Sequence, residues 1–322
     1  MFSTTDQIIE CVPNFSEGRN HNIIKAIEAS IANTPHVKLM HVDIGLDANR
    51  TVYTFAGKPD AVLDAAFYAI KTAAELIDMN THKGEHPRIG ACDVCPLIPI
   101  QNISMEEVVQ LSKKLGERIG SIGIPVYLYE YSAQKSNRKN LTNIRKGEYE
   151  GLKKKLMINE WIPDYGPRAF NQQFGAMALG ARKFLLAYNI NLKSKDEHLA
   201  KEIAKQIRII RDRKDNSYES NLFNHVKTIG WYMKEFQCTQ ISTNITDIEA
   251  SPLIDVFTQI QKIARVYGID TNGSELIGLL PLKALQHPKM TIDEAIEYLG
   301  LNAVKKFNKQ ERIIEYYLHI HP

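Results

Sequence analysis

Apolar positions along this chain alternate between two periods, and the alternation repeats. Ile8-Ile9-Glu10-Cys11-Val12 is a short apolar run stopped by Pro13, which predicts a strand. Ile23, Ile24, Ile27 and Ile31 then recur at helical spacing. Val37 to Val42 and Thr51 to Phe55 predict two strands around a turn that holds Asp43, Gly45, Asp47 and Asn49. Pro59, favoured at a first helical position, opens a helix over 59–79 carrying Val62, Ala66, Ala69, Ile70, Ala73 and Ile77. Val94 to Ile100 is extended again. The order strand-helix-strand-strand-helix-strand is a split βαβ unit. Residues 104–119, capped by Ser104, predict a further helix, and Pro125 to Tyr129 a further strand.

The same order returns. Lys183 to Ile190 is a strand, and Leu199, Ile203, Ile207 and Ile210 mark a helix. Lys227 to Met233 and Gln237 to Asn244 are strands, followed by the helical stripe Leu253, Val256, Phe257, Ile260 and Ala264. Leu276 to Pro281 is short and apolar. Thr291 and Glu294 form a capping box, with Gly300 as a stop. The expected fold is therefore α/β (α+β), with two ferredoxin-like subdomains over 1–180 and 181–322. Helices outside two sheets are expected to leave a cleft, a common place for a ligand. The boundary is placed near Gly175-Ala176-Met177-Ala178-Leu179-Gly180, whose small residues suit a close backbone approach.

Composition narrows the class. The 322 residues are 44% apolar and 24% charged, as in globular proteins, and a formal charge of +3 gives no electrostatic case for nucleic acid. The N-terminus lacks the basic and apolar regions of a signal peptide, and no apolar run approaches the ~20 residues of a membrane span. A cytoplasmic protein with no membrane partner is expected. Its four cysteines, including Cys92-x-x-Cys95, are expected as reduced, mostly buried thiols. No glycine-rich phosphate loop, dinucleotide fingerprint or G-x-S-x-G elbow occurs.

Candidate chemistry concentrates in Thr81-His82-Lys83-Gly84-Glu85-His86-Pro87-Arg88-Ile89-Gly90. Gly84 and Pro87 oppose a helix, so these ionisable groups sit on a loop, where catalytic residues gather. His82, Glu85 and His86 fit H-x-x-E-H, a zinc pattern that needs both histidines on one helical face. The alternative is one histidine as proton shuttle, since an ordinary imidazole pKa of about 6.5 allows both proton uptake and release.

Several segments together resemble the glutamate formimidoyltransferase family. They are Glu10-Cys-Val-Pro-Asn-Phe-Ser-Glu-Gly18, Asn49-Arg-Thr-Val-Tyr-Thr-Phe55, His82-Lys-Gly-Glu-His-Pro-Arg88, Asp93-Val-Cys-Pro96, Pro125-Val-Tyr-Leu-Tyr129, Gly147-Glu-Tyr-Glu150, Pro163-Asp-Tyr-Gly-Pro167, Gly180-Ala-Arg-Lys-Phe184 and Pro281-Leu-Lys-Ala-Leu285. They run in order over nearly the whole chain. Because it ends at Pro322, the chain is expected to be the stand-alone transferase, without the fused cyclodeaminase.

The resemblance implies two α/β subdomains around a folate tunnel, usually in a homodimer, with a separate cyclodeaminase as a possible partner. It implies transfer of the formimino group of N-formimino-L-glutamate to N5 of tetrahydrofolate, the co-substrate, with no metal required. The catalytic histidine falls on His86, and the acid expected to orient it on Asp43. Folate contacts fall on Gly166, Pro167, Arg168, Ala169, Phe170, Asn171, Gln172, Gln173, Phe174 and Gly175. Phe170 or Phe174 could offer the pterin an apolar face. Arg50, Arg88 and Arg182 are candidates for the substrate carboxylates, which guanidinium grips in bidentate fashion. Formyl transfer between 5-formyltetrahydrofolate and glutamate, a non-catalytic folate-binding module and a zinc hydrolase are the competing readings.

Overall fold

The computed structural model describes residues 2–234 and 236–320. They form two compact units that divide between Arg182 and Lys183. In the first, β1 (Ile8–Cys11) and β2 (Asn14–Phe15) are one interrupted strand, since both pair with the same two neighbours. Pro13 has no N–H for a ladder, and the Asn14 side chain turns back to donate to Val12 O at 2.8 Å. Then come α1 (His21–Ala32), β3 (Val37–Gly45), β4 (Arg50–Gly57), α2 (Pro59–Leu76), β5 (Cys92–Gln101), α3 (Met105–Ser121), β6 (Val126–Leu128), α4 (Leu141–Arg145), α5 (Glu148–Leu156) and β7 (Met177–Ala181).

The sheet runs β3-β4-(β1/β2)-β5-β7-β6. Its first part is antiparallel and has the ferredoxin-like order; β7 then pairs parallel with both β5 and β6. One face packs against α1, α2 and α3, burying Ile9, Phe15, Tyr53, Phe55, Leu97 and Leu179 among Ile27, Ala69 and Leu115. Each large apolar side chain taken out of water there contributes roughly 1.5–3 kcal/mol. The helices start where the sequence signals them: Asn20 caps α1, and Ser104 and Glu107 close a capping box on α3. On the other face, Val94, Tyr127 and Ala178 meet Ile144, Leu152 and Leu156 of α4 and α5.

The second unit contains β8 (Leu186–Leu192), α6 (Glu197–Asp212), α7 (Tyr218–Phe223), β9 (Val226–Met233), β10 (Cys238–Ile245), α8 (Leu253–Val266), β11 (Thr271–Ile277) and α9 (Ile292–Tyr298), with two short helices after it. Its antiparallel order β11-β8-β10-β9 is again ferredoxin-like. Ile203, Ile207, Val256 and Ile260 pack on Tyr188, Ile190 and Ile241. The α/β class with two split βαβ units is what the periodicity predicts.

Two expectations change. Residues 177–181, beside the boundary expected near 180, are a wholly buried strand of the first sheet that the periodicity does not predict, and the units divide just after it. Their small side chains do permit a close approach, because a Cβ at Gly180 would stand 2.3 Å from Tyr129 O. The last strand of the second unit occupies 271–277, earlier than the apolar run at 276–281. Its polar start, with Gly273 at φ +86° and a register shift between Thr271 and Ser274, hides the period of a strand. All four thiols are free and buried, and Cys11 Sγ lies 3.5 Å from Cys95 Sγ across neighbouring strands. Among the described residues no helix is long and apolar enough to cross a membrane.

Candidate active site

Three backbone segments stack where β4 begins. A Cβ on Gly18 would stand 2.4 Å from Gly45 O, and one on Gly84 would stand 2.2 Å from Ala48 O, so both glycines let the chain touch the 45–50 turn. Asn49, in the left-handed region at φ +47°, fastens the stack. Its Oδ1 accepts from Gly18 N at 2.9 Å and its Nδ2 donates to Lys83 O at 3.0 Å. Glu85 N adds a bond to Asp47 O at 3.3 Å. The histidine loop is thus laid against the first residue of β4, Arg50.

The two histidines have different partners. Arg88 Nε donates to His82 Nδ1 at 3.1 Å, so His82 carries its proton on Nε2, which donates to Asn49 O at 2.9 Å. Arg50 donates to His86 Nε2, while His86 Nδ1 donates to Pro87 O at 2.8 Å. A guanidinium can only donate and a carbonyl only accept, which fixes each tautomer. His82 has no nitrogen left for a metal, and residues 82–86 are not helical, so the zinc geometry is absent. Among the described residues no three His, Cys, Asp or Glu side chains group as a metal site.

Around His86 stand charged groups to which the sequence assigns no role. Asp93, buried on β5, accepts from Ile89 N at 3.0 Å and from Arg145 Nε at 2.9 Å. It ties the loop to the end of α4. Burial holds His86 down to about pKa 4, with the Arg50 and Arg145 cations acting in the same direction and Asp93 and the Pro87 carbonyl opposing them. Burial likewise lowers Arg50 to about 10, helped by Arg145 and opposed by Asp93 and Asp43. His86 is therefore neutral at physiological pH, and in this arrangement it is a weaker base than an ordinary imidazole.

Several expected roles change on inspection of the partners. Asp43 does not orient the ring: both His86 nitrogens bond elsewhere, and Asp43 is an exposed residue of β3 that acts on Arg50 through its charge. Arg88 is not open to a substrate carboxylate. Its guanidinium donates to Glu148 Oε2 at 3.0 Å and to both oxygens of Glu150 at 3.0 and 2.6 Å, besides His82. It is a buried strut between the loop and α5. A shallow cleft of 450 Å³ along this strut is lined by Lys83, Gly84, Arg88, Gly147, Glu148 and Glu150, without His86. Arg182 directly follows β7 and hydrogen-bonds the Tyr129 hydroxyl.

Residues 166–175 are stitched to the same loop at one end. Gly175, at φ +81°, bridges to Gly90, and Ala91 N donates to Phe174 O at 2.7 Å. Phe174 is buried in the helix-side core and offers no face to a ligand. Phe170 is half-buried, 5.5 Å from the Tyr149 ring. Arg168 donates to the last carbonyls of α5, with 2.7 Å to Leu156 O. Asn171 Oδ1 accepts from Phe174 N at 2.9 Å, Gln172 O accepts from the Tyr149 hydroxyl, and Gln173 Nε2 donates to Ala74 O at 2.9 Å. Gly166, Pro167 and Ala169 remain exposed.

Comparison with known proteins gives this site a context. Residues 8–182 match the family model of the formiminotransferase domain, N-terminal subdomain, and residues 187–319 match that of the formiminotransferase domain. Formimidoyltransferase-cyclodeaminase of Mus musculus is 44% identical over 96% of this chain, which spans 60% of that protein's length. Glutamate formimidoyltransferases of Streptococcus pyogenes serotype M1 and of Thermoplasma acidophilum are each 40% identical, covering 97% and 96% of this chain and 99% and 97% of theirs. With both subdomains matched in order, on two sheets of ferredoxin-like topology, the chain belongs to the formiminotransferase family.

Proposed function

We propose that this chain is a glutamate formimidoyltransferase, moving the formimino group of N-formimino-L-glutamate to N5 of tetrahydrofolate and releasing L-glutamate. The observation that carries the reading is His86: a neutral imidazole of fixed tautomer, its Nε2 lone pair directed at a cation rather than at a structural donor. Relatives that carry this name match over nearly their full length, which supports it.

Tetrahydrofolate N5 attacks the amidine carbon, forming a C–N bond as His86 Nε2 takes the N5 proton. The tetrahedral intermediate then collapses, and the imidazolium returns that proton to the departing glutamate nitrogen as its bond to carbon breaks. One proton moves, and nothing is oxidised or reduced. General acid–base help of this kind typically supplies ~10² to 10⁴ in rate. The Nδ1–H bond to Pro87 O keeps the ring facing the reaction and stabilises the imidazolium once formed. The exposed Gly166, Pro167 and Ala169, with half-buried Phe170, form the surface on which the folate ring is proposed to rest.

The decisive experiment incubates purified protein with formiminoglutamate and tetrahydrofolate and follows both 5-formimidoyltetrahydrofolate and glutamate. Equimolar appearance of the two, above the uncatalysed rate, is expected. Turnover with 5-formyltetrahydrofolate and glutamate alone would replace the reading with formyl transfer.

A further inference from the structure

Resting on that reading, we infer that Arg50 caps the base and is also the receptor for the donor's α-carboxylate, so that substrate recognition uncovers the proton acceptor. Arg50 is half-buried, yet among the described residues it forms no ion pair, whereas Arg88 and Arg145 have carboxylates of their own. Its guanidinium donates instead to a neutral acceptor, His86 Nε2. A carboxylate meets the guanidinium with a full opposite charge and two parallel acceptors, where the imidazole offers one neutral nitrogen. An arriving carboxylate therefore wins Arg50 from the imidazole.

The donor's geometry supplies the carboxylate at the right place. In formiminoglutamate only the amide-like nitrogen and Cα separate the reacting carbon from the α-carboxylate. A receptor for that carboxylate must stand beside the group that moves protons at the reacting carbon, and Arg50 touches that group. The charged groups acting on His86 are Arg50 from β4, Arg145 from α4 and Asp93 from β5, with Asp43 of β3 acting on Arg50. Drawing Arg50 onto an anion frees the Nε2 lone pair and compensates one of the two cations. A donor lacking the α-carboxylate leaves the base covered.

The test is imidazole ¹⁵N NMR of the intact protein titrated with N-acetyl-L-glutamate, which keeps both carboxylates but has no group to transfer, and with its α-amide. Binding is followed in parallel by calorimetry. The acid is expected to raise the His86 midpoint by about one pH unit or more, and the α-amide to leave it in place. In Arg50→Gln the midpoint should already be raised and should no longer respond. The inference is overturned if N-acetyl-L-glutamate fails to bind, if it binds without moving His86, if the α-amide moves it equally, or if Arg50→Gln responds like the native protein. Should Arg50→Gln lose its near-ultraviolet circular dichroism, the acid-against-amide comparison on native protein decides alone. Native protein that transfers the formimino group while His86 stays unmoved refutes only this inference. Native protein whose His86 moves but which shows no transfer refutes only the functional reading.

Discussion

His82 and His86 carry their protons on opposite ring nitrogens, although they share one loop. Arg88 Nε enters Nδ1 of His82, and Arg50 enters Nε2 of His86. The first arrangement uses up both nitrogens on the protein itself, through Asn49 O. The second leaves the acceptor nitrogen under a single cation that has no carboxylate of its own. One histidine braces the loop; the other is the proposed proton shuttle.

The two should separate in mutants. His86→Ala is expected to lower kcat by ~10² or more with a melting temperature close to native, because proton transfer is lost. His82→Ala leaves Arg88 Nε and Asn49 O without their partner and should cost roughly 1–3 kcal/mol of stability. Steady-state kinetics beside thermal unfolding check this; equal kcat losses with equal melting points would contradict it.

Acid should expose His86 in a second way. Its folded pKa, about 4, lies below the ordinary 6.5 of an unfolded chain. Between those values the unfolded state binds the extra proton, so this residue's stabilisation is full above pH 6.5 and is lost as pH falls towards 4. His86→Gln should flatten that part of the stability profile in urea titrations. An identical slope in both proteins would show that the ring is not held neutral.

Replacing Arg88 by Met should leave Glu148 and Glu150 facing each other without their cation and deprive His82 Nδ1 of its donor. A loss of roughly 1–3 kcal/mol is expected. The His82 proton should also redistribute between its nitrogens, which ¹⁵N NMR reads. If Arg88 instead gripped substrate, KM would rise with stability unchanged.

Gly84→Ala tests the stacked backbone. A methyl there would stand 2.2 Å from Ala48 O and 2.9 Å from Asn49 Cβ, so the loop must lift off the 45–50 turn. Positioning errors of about 1 Å can cost ~10² in rate. A large fall in kcat is expected with a modest fall in melting temperature; unchanged kcat would mean that the contact does not place His86.

Much of this was legible in the chain before any coordinates. The periods of the apolar residues predict both split βαβ units, and Ser104 alone and Thr291 with Glu294 mark two helix starts. The histidine loop stands out because Gly84 and Pro87 oppose a helix in a polar stretch, and the family resemblance then points to His86 rather than His82. The roles of Asp93 and Arg145 are not legible, because they lie in a pairing across 52 positions that no local pattern encodes. The orienting role that the resemblance implies for Asp43 needs a contact, and that contact belongs to Pro87. The strand at 177–181 is not legible, because alanine and glycine lack the branched, apolar signature of a strand.

That strand carries a consequence for how the chain assembles. Within the sheet β6 has β7 as its neighbour, and β5 meets β6 only through it, so the last strand of the first unit to be synthesised, residues 177–181, sits inside its sheet. Until they emerge from the ribosome, β5 and β6 present open edges with unsatisfied backbone groups, the kind of surface on which nascent chains aggregate. Translation of the first unit is therefore expected to yield a sheet that closes by late insertion. A fragment truncated at residue 175 should be captured by chaperones or precipitate, while one ending at residue 182 should fold.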